Sequence, residues 1–405
     1  MSDAHGMNDA GVALSALTTM QVGGVPERMI TASTQRELID AALDVWSDGG
    51  EWLVLAGGSN TVAADEPFEG TVLRVATRGI EVLPTDADTP GRVRVRVQAG
   101  EPWDDLVAYA VERGWSGIEA LSGIPGSTGA APVQNIGAYG QELSSSLVAI
   151  EFLDYLSGEV SRVPAAELEL GYRTSVLKQG REGIVLAVEL DLHDTADAQA
   201  VLGEALGQPI AYAQLASALG VQLGDRVSVQ AMRDAVLALR ASKGMVLDPA
   251  DRDTASAGSF FTNPIVRENF ARALPAEAPR WPLVPAAADV VVPLGTTVAD
   301  SPLDEFLAHQ ADLAASTVDA GAAASAETLV KLSAAWLIEH AGIRRGFRLP
   351  GSRAAISSKH TLAITNTGGA SAEEVAQLAR YVQGRVQSEF GVILHPEPVL
   401  VGLEL

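Results

Sequence analysis

Cysteine is absent from the 405 residues. That excludes disulfides, thiolate metal sites, iron–sulfur ligation and cysteine nucleophiles, and it fits a reducing compartment. Basic residues are scarce: 28 Lys and Arg stand against 51 Asp and Glu, a net charge of −23. Nucleic acid and anionic membrane surfaces are therefore excluded as main partners, because phosphate binding needs a net basic face. A small anion held by a local Arg/Lys cluster is not. No apolar run approaches about 18 residues, so no membrane-spanning helix is expected. The first 27 residues hold no Lys or Arg, so the basic start of a signal peptide is not expected either. The six histidines (His5, His193, His309, His340, His360, His395) show no metal-ligand spacing, and no metal is expected. The composition predicts a soluble, cytoplasmic, acidic protein of two or three domains.

What is present has helix and strand periodicity in clumps, which predicts an α+β or α/β chain. Thr34 and Glu37 form a capping box ahead of Leu38, Ala41, Ala42 and Val45 at helical spacing, and Gly49-Gly50 stops the helix. Trp52 to Leu55 reads as a short buried strand. Residues 92–98 read Arg-Val-Arg-Val-Arg-Val-Gln, a half-exposed strand of period two. Trp103, Leu106, Val107, Ala110 and Val111 form a second helical stripe ended by Gly114. Strands are expected over 148–192 and mainly helix over 199–240. Residues 271–328 are Ala/Pro-rich and read as an insertion with local helices. A helix is expected over 333–341 with Gly342 as its cap, a strand over 360–366, and a last helix after the capping box of Ser371 and Glu374.

Five segments can carry chemistry. Gly57-Gly58-Ser59-Asn60 follows a strand, and successive glycine amides can form an anion-binding nest; a plain strand-to-loop turn is the alternative. The stretch from Ser122 to Gly140 has five glycines, two prolines and no charge. It reads as a fixed, close-packed loop on which a flat aromatic ligand can lie, or as a surface loop. Tyr172-Arg173, followed by Lys178, can stabilise a developing oxyanion, or Arg173 is simply exposed. Ser259, between Gly258 and Phe260-Phe261, can donate a proton from a partly dry pocket, or the loop merely faces the core. No GxSxG elbow is present, so an acyl-transfer triad is disfavoured. Glu397, between Pro396 and Pro398, is held rigidly enough for acid/base work, or is only solvated.

Taken in order, from about residue 17 to 403, these segments resemble the UDP-N-acetylenolpyruvoylglucosamine reductase family, in its longer form with a covering tyrosine. The resemblance rests on Gly57-Gly58-Ser59-Asn60, on Ile124-Pro125-Gly126-Ser127 and Pro132-Val133-Gln134-Asn135-Ile136-Gly137-Ala138-Tyr139-Gly140, and on Tyr172-Arg173. It rests further on Ala257-Gly258-Ser259-Phe260-Phe261 with Asn263-Pro264, on Ser333-Ala334-Ala335-Trp336-Leu337-Ile338-Glu339, and on Pro396-Glu397. It implies an α+β chain: a two-subdomain FAD-binding fold of the vanillyl-alcohol-oxidase (PCMH) type, then a C-terminal α/β substrate-binding domain. The ranges expected are a flexible N-terminus over 1–16, subdomains over 17–90 and 91–242, and a C-terminal domain over 243–405 with the insertion at 271–328.

The resemblance also implies an enzyme, an oxidoreductase using FAD and NADPH. It would reduce UDP-N-acetylglucosamine enolpyruvate to UDP-N-acetylmuramate, a peptidoglycan precursor that serves cell-wall biogenesis, cell shape, the cell cycle and division. Catalytic roles fall on Ser259 as proton donor and on Arg173 with Glu397 as the pair stabilising the enolate-like intermediate. Gly57, Gly58, Ser59, Asn60, Ser122, Ser127, Gly129 and Ile136 would hold the flavin. Tyr172, Tyr212, Lys243 and Asn263 would contact the substrate. With no Cys, and no His between His5 and His193, non-covalent FAD is expected. The partners implied are the UDP-sugar and NADPH alone; a monomer is compatible with the sequence, which does not give the oligomeric state.

Two departures stand out. His395 occupies a position where an acidic residue is common, and Gly244 to Asp251 lengthen the path from Lys243 to Ser259. Rival readings are an oxidase on the same flavin fold, a non-catalytic flavin- or UDP-sugar-binding protein, and a sugar-nucleotide transferase without flavin.

Overall fold

The capping box at Thr34 forms as the spacing predicts: the Thr34 hydroxyl takes the Glu37 N–H, and the Glu37 carboxylate takes the Thr34 N–H. It starts helix α1 (Gln35–Asp48), which Gly49 ends in a left-handed conformation. The protein is described by a computed structural model over residues 7–8, 11–84, 90–283 and 328–405.

Strands β1 (Met7–Asn8), β2 (Arg28–Ala32), β3 (Trp52–Leu55) and β5 (Thr71–Val75) form the first sheet, in the order β1-β2-β5-β3. β5 runs parallel to both neighbours. Leu38, Ala42 and Val45 of α1 pack in one cluster with Ile30, Ala32, Leu73 and Val75. Part of the N-terminal segment expected to be flexible packs on this sheet. Leu14 is buried at 1% exposure, its N–H bonds the Gly24 carbonyl, and it packs against Met29 and Leu55. An apolar side chain in that position holds its segment in place.

The second sheet has the order β12-β11-β13-β7-β6, with β8 paired to β13. Its strands are β6 (Ile80–Leu83), β7 (Arg92–Gln98), β8 (Trp115–Ser116), β11 (Leu147–Asp154), β12 (Val160–Pro164) and β13 (Gly183–Asp194), while β9 (Gly137–Ala138) and β10 (Gln141–Glu142) pair with each other as a hairpin. β7 keeps its period of two. Val93, Val95 and Val97 turn inward onto helix α2 (Trp103–Glu112), while Arg92 and Arg96 pair outward with Asp191 and Glu151. β6 already belongs to this sheet, so the chain leaves the first subdomain earlier than residue 90. The helical expectation for 199–240 resolves into α3 (Ala196–Leu202), α4 (Ala213–Leu219) and α5 (Val229–Ser242), with Gly203 and Gly220 capping the first two.

The C-terminal part holds α6 (Glu268–Ala273), a sheet of order β14-β16-β15, the hairpin β17 (Ala354–Ile356) with β18 (Ile364–Asn366), and helices α7 (Ala334–His340) and α8 (Ala372–Phe390). β14 is Ile265–Arg267, β15 Arg280–Leu283 and β16 Leu329–Leu332. The expected insertion therefore begins with the end of a helix and a paired strand that are integral to the fold; residues 284–327 lie outside the described residues. The strand expected over 360–366 is shortened to β18, because 360–363 form a turn closed by the Ala363 N–H on the His360 carbonyl.

Two long-range links seat this part on the first subdomain. Strand β19 (Val399–Val401) runs parallel to β4 (Thr61–Ala63). Met20, Val22 and Val62 sit in one core cluster with Phe260, Phe261 and Leu394. Both links converge on the loop that contains Asn60. Among the described residues no helix is long and apolar enough to cross a membrane.

Candidate active site

A cleft of about 400 Å³ opens where β3 ends, between the 57–60 loop and the loop from Ile124 to Ile136. The two loops touch through backbone. A Cβ on Gly57 would lie 2.5 Å from Gly126 Cα, and one on Gly58, whose φ is +59°, would lie 2.0 Å from the Leu17 carbonyl oxygen. Only glycine fits at either position. The Ser59 hydroxyl donates to the Pro125 carbonyl at 2.8 Å, and the Gly129 N–H to Ala99 at 2.8 Å. Gly57, Gly58, Ser59, Asn60, Ser127, Gly129 and Ile136 all line the cleft. Ser122 does not: it is fully buried, and its hydroxyl donates to the Glu119 carbonyl at 2.6 Å.

The cleft suits a flavin dinucleotide. Its sides are apolar, with Val54, Trp103, Phe152 and Leu177 among them, and its floor is glycine backbone. The Ser127 hydroxyl is buried in the lining without a hydrogen-bond partner in the protein, so a polar ligand atom would satisfy it. Among the described residues no histidine lines the cleft.

Arg173 and Glu397 meet beside this cleft, where Asn60 of its lining bonds Glu397. Arg173 Nε lies 3.2 Å from Glu397 Oε1. Arg173 Nη2 donates to the Gly137 carbonyl at 2.6 Å, and Nη1 to Asn135 at 3.4 Å. Its backbone is left-handed, φ +56°, as are Asn135 and Tyr139 on the facing loop. Such conformations cost free energy in non-glycine residues and persist where the surroundings impose them. Glu397 is bound on three sides: its N–H donates to Phe260, and its carbonyl takes bonds from Asn60 Nδ2 and Lys178 Nζ, both at 3.2 Å. Asn60 also donates to Gln134 Oε1 at 2.5 Å. Burial pushes the Glu397 carboxyl above its usual range, and Arg173 and Lys178 pull it back. Burial pushes the Lys178 ammonium below its usual range, against the pull of Glu397, and Arg173 adds to the lowering.

Ser259 lies half-buried one residue before Phe260, the residue whose carbonyl receives Glu397. Phe260 and Phe261 are 1% exposed and pack edge to face at 5.2 Å, which anchors the loop. The Phe260 N–H bonds Leu362, and the Thr262 N–H bonds His395. His395 thus joins the site through its carbonyl while its side chain is exposed.

The four expected substrate residues fall into two groups. The Tyr172 ring lies 5.4 Å from the Arg173 guanidinium carbon. Asn263 Oδ1 accepts the Ala334 N–H at the start of α7, which leaves its amino group as the part able to meet a ligand. Tyr212 and Lys243 stand on the other side, joined by Tyr139. Tyr139 packs edge to face on Tyr212 at 5.8 Å, and Lys243 Nζ lies 5.3 Å from the Tyr139 ring. Burial, then Arg240, lowers the Lys243 pKa. Burial, then Lys243 and Arg345, lowers His360 to about 4, so its ring is neutral at pH 7. Sequence reasoning did not single out Gln134, Arg240 or His360. Gln134 was within reach, since it lies in the uncharged loop one residue from Asn135. Among the described residues no group of His, Asp and Glu is placed to hold a metal ion.

A family model described as an FAD binding domain matches residues 26–163. One described as the C-terminal domain of UDP-N-acetylenolpyruvoylglucosamine reductase matches 248–401. The UDP-N-acetylenolpyruvoylglucosamine reductase of Leifsonia xyli is 64% identical over 97% of this chain and 99% of its own length. That of Salinispora arenicola is 43% identical over 100% of this chain and 98% of its own. The crystal structure of the Thermus caldophilus reductase superposes with a TM-score of 0.57 at 24% identity, covering 98% of this chain and 100% of that one, and shows a shared fold. The architecture is thus a PCMH-type FAD-binding domain followed by a C-terminal domain of the reductase type.

Proposed function

Because the chain belongs to the UDP-N-acetylenolpyruvoylglucosamine reductase family and is an oxidoreductase with an FAD-binding domain, we propose that it reduces UDP-N-acetylglucosamine enolpyruvate to UDP-N-acetylmuramate with NADPH, in the cytoplasm. The observation that carries this reading is the joining of three distant segments at Glu397. Asn60 of the cleft wall, Arg173, and the Phe260 carbonyl beside Ser259 all bond this one residue.

Gly57, Gly58, Ser59 and the loop around Ser127 and Gly129 would hold FAD, with Ser127 supplying a free hydroxyl. Bound there, FAD would accept a hydride from NADPH and return it to the enolpyruvyl double bond. Addition of hydride to an enol ether conjugated with a carboxylate builds negative charge on that carboxylate. Arg173 presents fixed donors to that charge, and Glu397 with the Asn135 and Gly137 carbonyls holds the guanidinium in place. Ser259 gives its hydroxyl proton to the carbon next to the carboxylate, and Arg173 and Lys178 are the nearby cations favouring the resulting alkoxide. Tyr172 and Asn263 line the approach of the sugar, and Tyr212 with Lys243 that of the diphosphate.

The test is a visible absorption spectrum of the FAD-loaded protein under anaerobic conditions. NADPH is expected to bleach the flavin band, and UDP-N-acetylglucosamine enolpyruvate to restore it. Bleaching without restoration would overturn the substrate. A protein that takes up no FAD would overturn the reading and favour a transferase.

A further inference from the structure

We propose that Lys331, held against Tyr172 and Trp281, is an anion-recognition residue at the rim of the reaction centre and takes a phosphate group of a nucleotide ligand. The proposal rests on the reductase reading for the identity of its ligands.

The fold fixes where Lys331 stands. β14 follows directly on the Ser259 loop, and the Leu332 N–H closes on the Pro264 carbonyl. Ile265, Lys331 and Trp281 are partners across the three strands. Val330 and Leu332 are buried at 3% and 1%, so the alternation of the strand turns Lys331 to the opposite face. There its ammonium lies 4.8 Å from the Tyr172 ring and 6.0 Å from the Trp281 ring. The same Tyr172 ring meets the Arg173 guanidinium, so one aromatic side chain spans the catalytic cation and a second, outer one.

Two features point to a ligand. Among the described residues no carboxylate pairs with Lys331, in a chain where acids outnumber bases 51 to 28. Trp281 is 47% exposed beside it, so an open aromatic face adjoins the ammonium on the side away from the core. The two aromatic rings attract its charge without neutralising it, which keeps the ammonium available. The substrate carboxylate is already provided for by Arg173. A compact ammonium suits a phosphate oxygen, and both ligands of the proposed reaction carry diphosphates.

The test is calorimetric binding of UDP and, separately, NADP⁺ to the FAD-loaded protein and its Lys331→Met, Lys331→Arg and Trp281→Leu variants. Each variant is first checked for unchanged flavin absorption and melting temperature. Lys331→Met is expected to weaken at least one probe about tenfold, the order of a charge-assisted contact; the probe affected identifies the source of the phosphate. Lys331→Arg should recover most of that loss, and Trp281→Leu should show a smaller one. Binding of both probes to Lys331→Met within twofold of the unaltered protein would overturn the proposal. The unaltered protein's failure to turn over the enolpyruvyl sugar would overturn the reductase reading instead, with the binding comparison still deciding the role of Lys331.

Discussion

The cleft proposed to hold flavin and the proposed reaction centre beside it are built from different material. The cleft is made of backbone: Gly57 and Gly126 bring two loops within a distance that no Cβ permits, and Gly58 lies as close to the Leu17 carbonyl. The centre is made of side chains drawn from residues 60, 173, 178, 259 and 397, tied together at Glu397 by the Asn60 and Lys178 bonds to its carbonyl, the Arg173 ion pair and its N–H on the Phe260 carbonyl. The cleft should therefore be sensitive to added volume and indifferent to charge. The centre should be sensitive to charge and tolerant of small changes in volume.

The largest break of this contrast is expected from Arg173→Met, which preserves length and removes the donors. A fall in kcat/KM of about 10³-fold is expected in NADPH-coupled turnover, with flavin binding retained. Loss of flavin instead would place Arg173 in the cleft and erase the contrast. Gly57→Ala should do the reverse. Its Cβ meets backbone at 2.5 Å, and overpacking of this kind costs about 1–3 kcal/mol, so flavin retention on gel filtration should weaken roughly tenfold or more.

Lys178→Met sharpens the comparison through pH. Glu397 must be ionised to hold Arg173, and burial raises its pKa while Arg173 and Lys178 lower it. Turnover should therefore fall as pH drops through a value above the ordinary carboxyl range. Removal of Lys178 should move that acidic limb upward, and a limb that stays or moves down would show that Glu397 does not set it.

The smallest effect is expected at Asp104, which ties α2 to Arg233 of α5 and to the Gly123 N–H. Burial raises its pKa, but the Arg233 and Gly123 hydrogen bonds outweigh it and the net shift is downward. Its contribution is then present above the unfolded-state carboxyl pKa and is lost as pH falls through the lower folded value. Asp104→Asn should cost about 1 kcal/mol in denaturant unfolding at pH 7, limited by solvent screening. The difference from the unaltered protein should vanish in acid.

Legibility in the sequence followed length and periodicity. α1, α2, β7 and α8 show repeating apolar positions over seven or more residues, and α1 and α8 add capping boxes, so each is readable locally. β4 and β19 have three residues each, too few for a period. Their pairing across most of the chain is a tertiary event with no local mark. The burial of Leu14 and the strand at Arg280–Leu283, with Pro282 inside it, escaped for the same reason. In the site, the order of motifs pointed to Arg173, Ser259 and Glu397. The left-handed backbone of Arg173, the withdrawal of Ser122 from the cleft and the half-buried cation at Lys331 depend on which loop faces which, and spacing does not encode that.

In the proposed reaction Ser259 acts after the flavin has been reduced. Rapid mixing of Ser259→Ala separates the two half-reactions. Bleaching of the flavin band by NADPH is expected at the rate of the unaltered protein. Reoxidation by the enolpyruvyl sugar should slow by about 10²–10⁴-fold, the range of general acid catalysis. Reoxidation at an unchanged rate would contradict the assignment of the proton to Ser259.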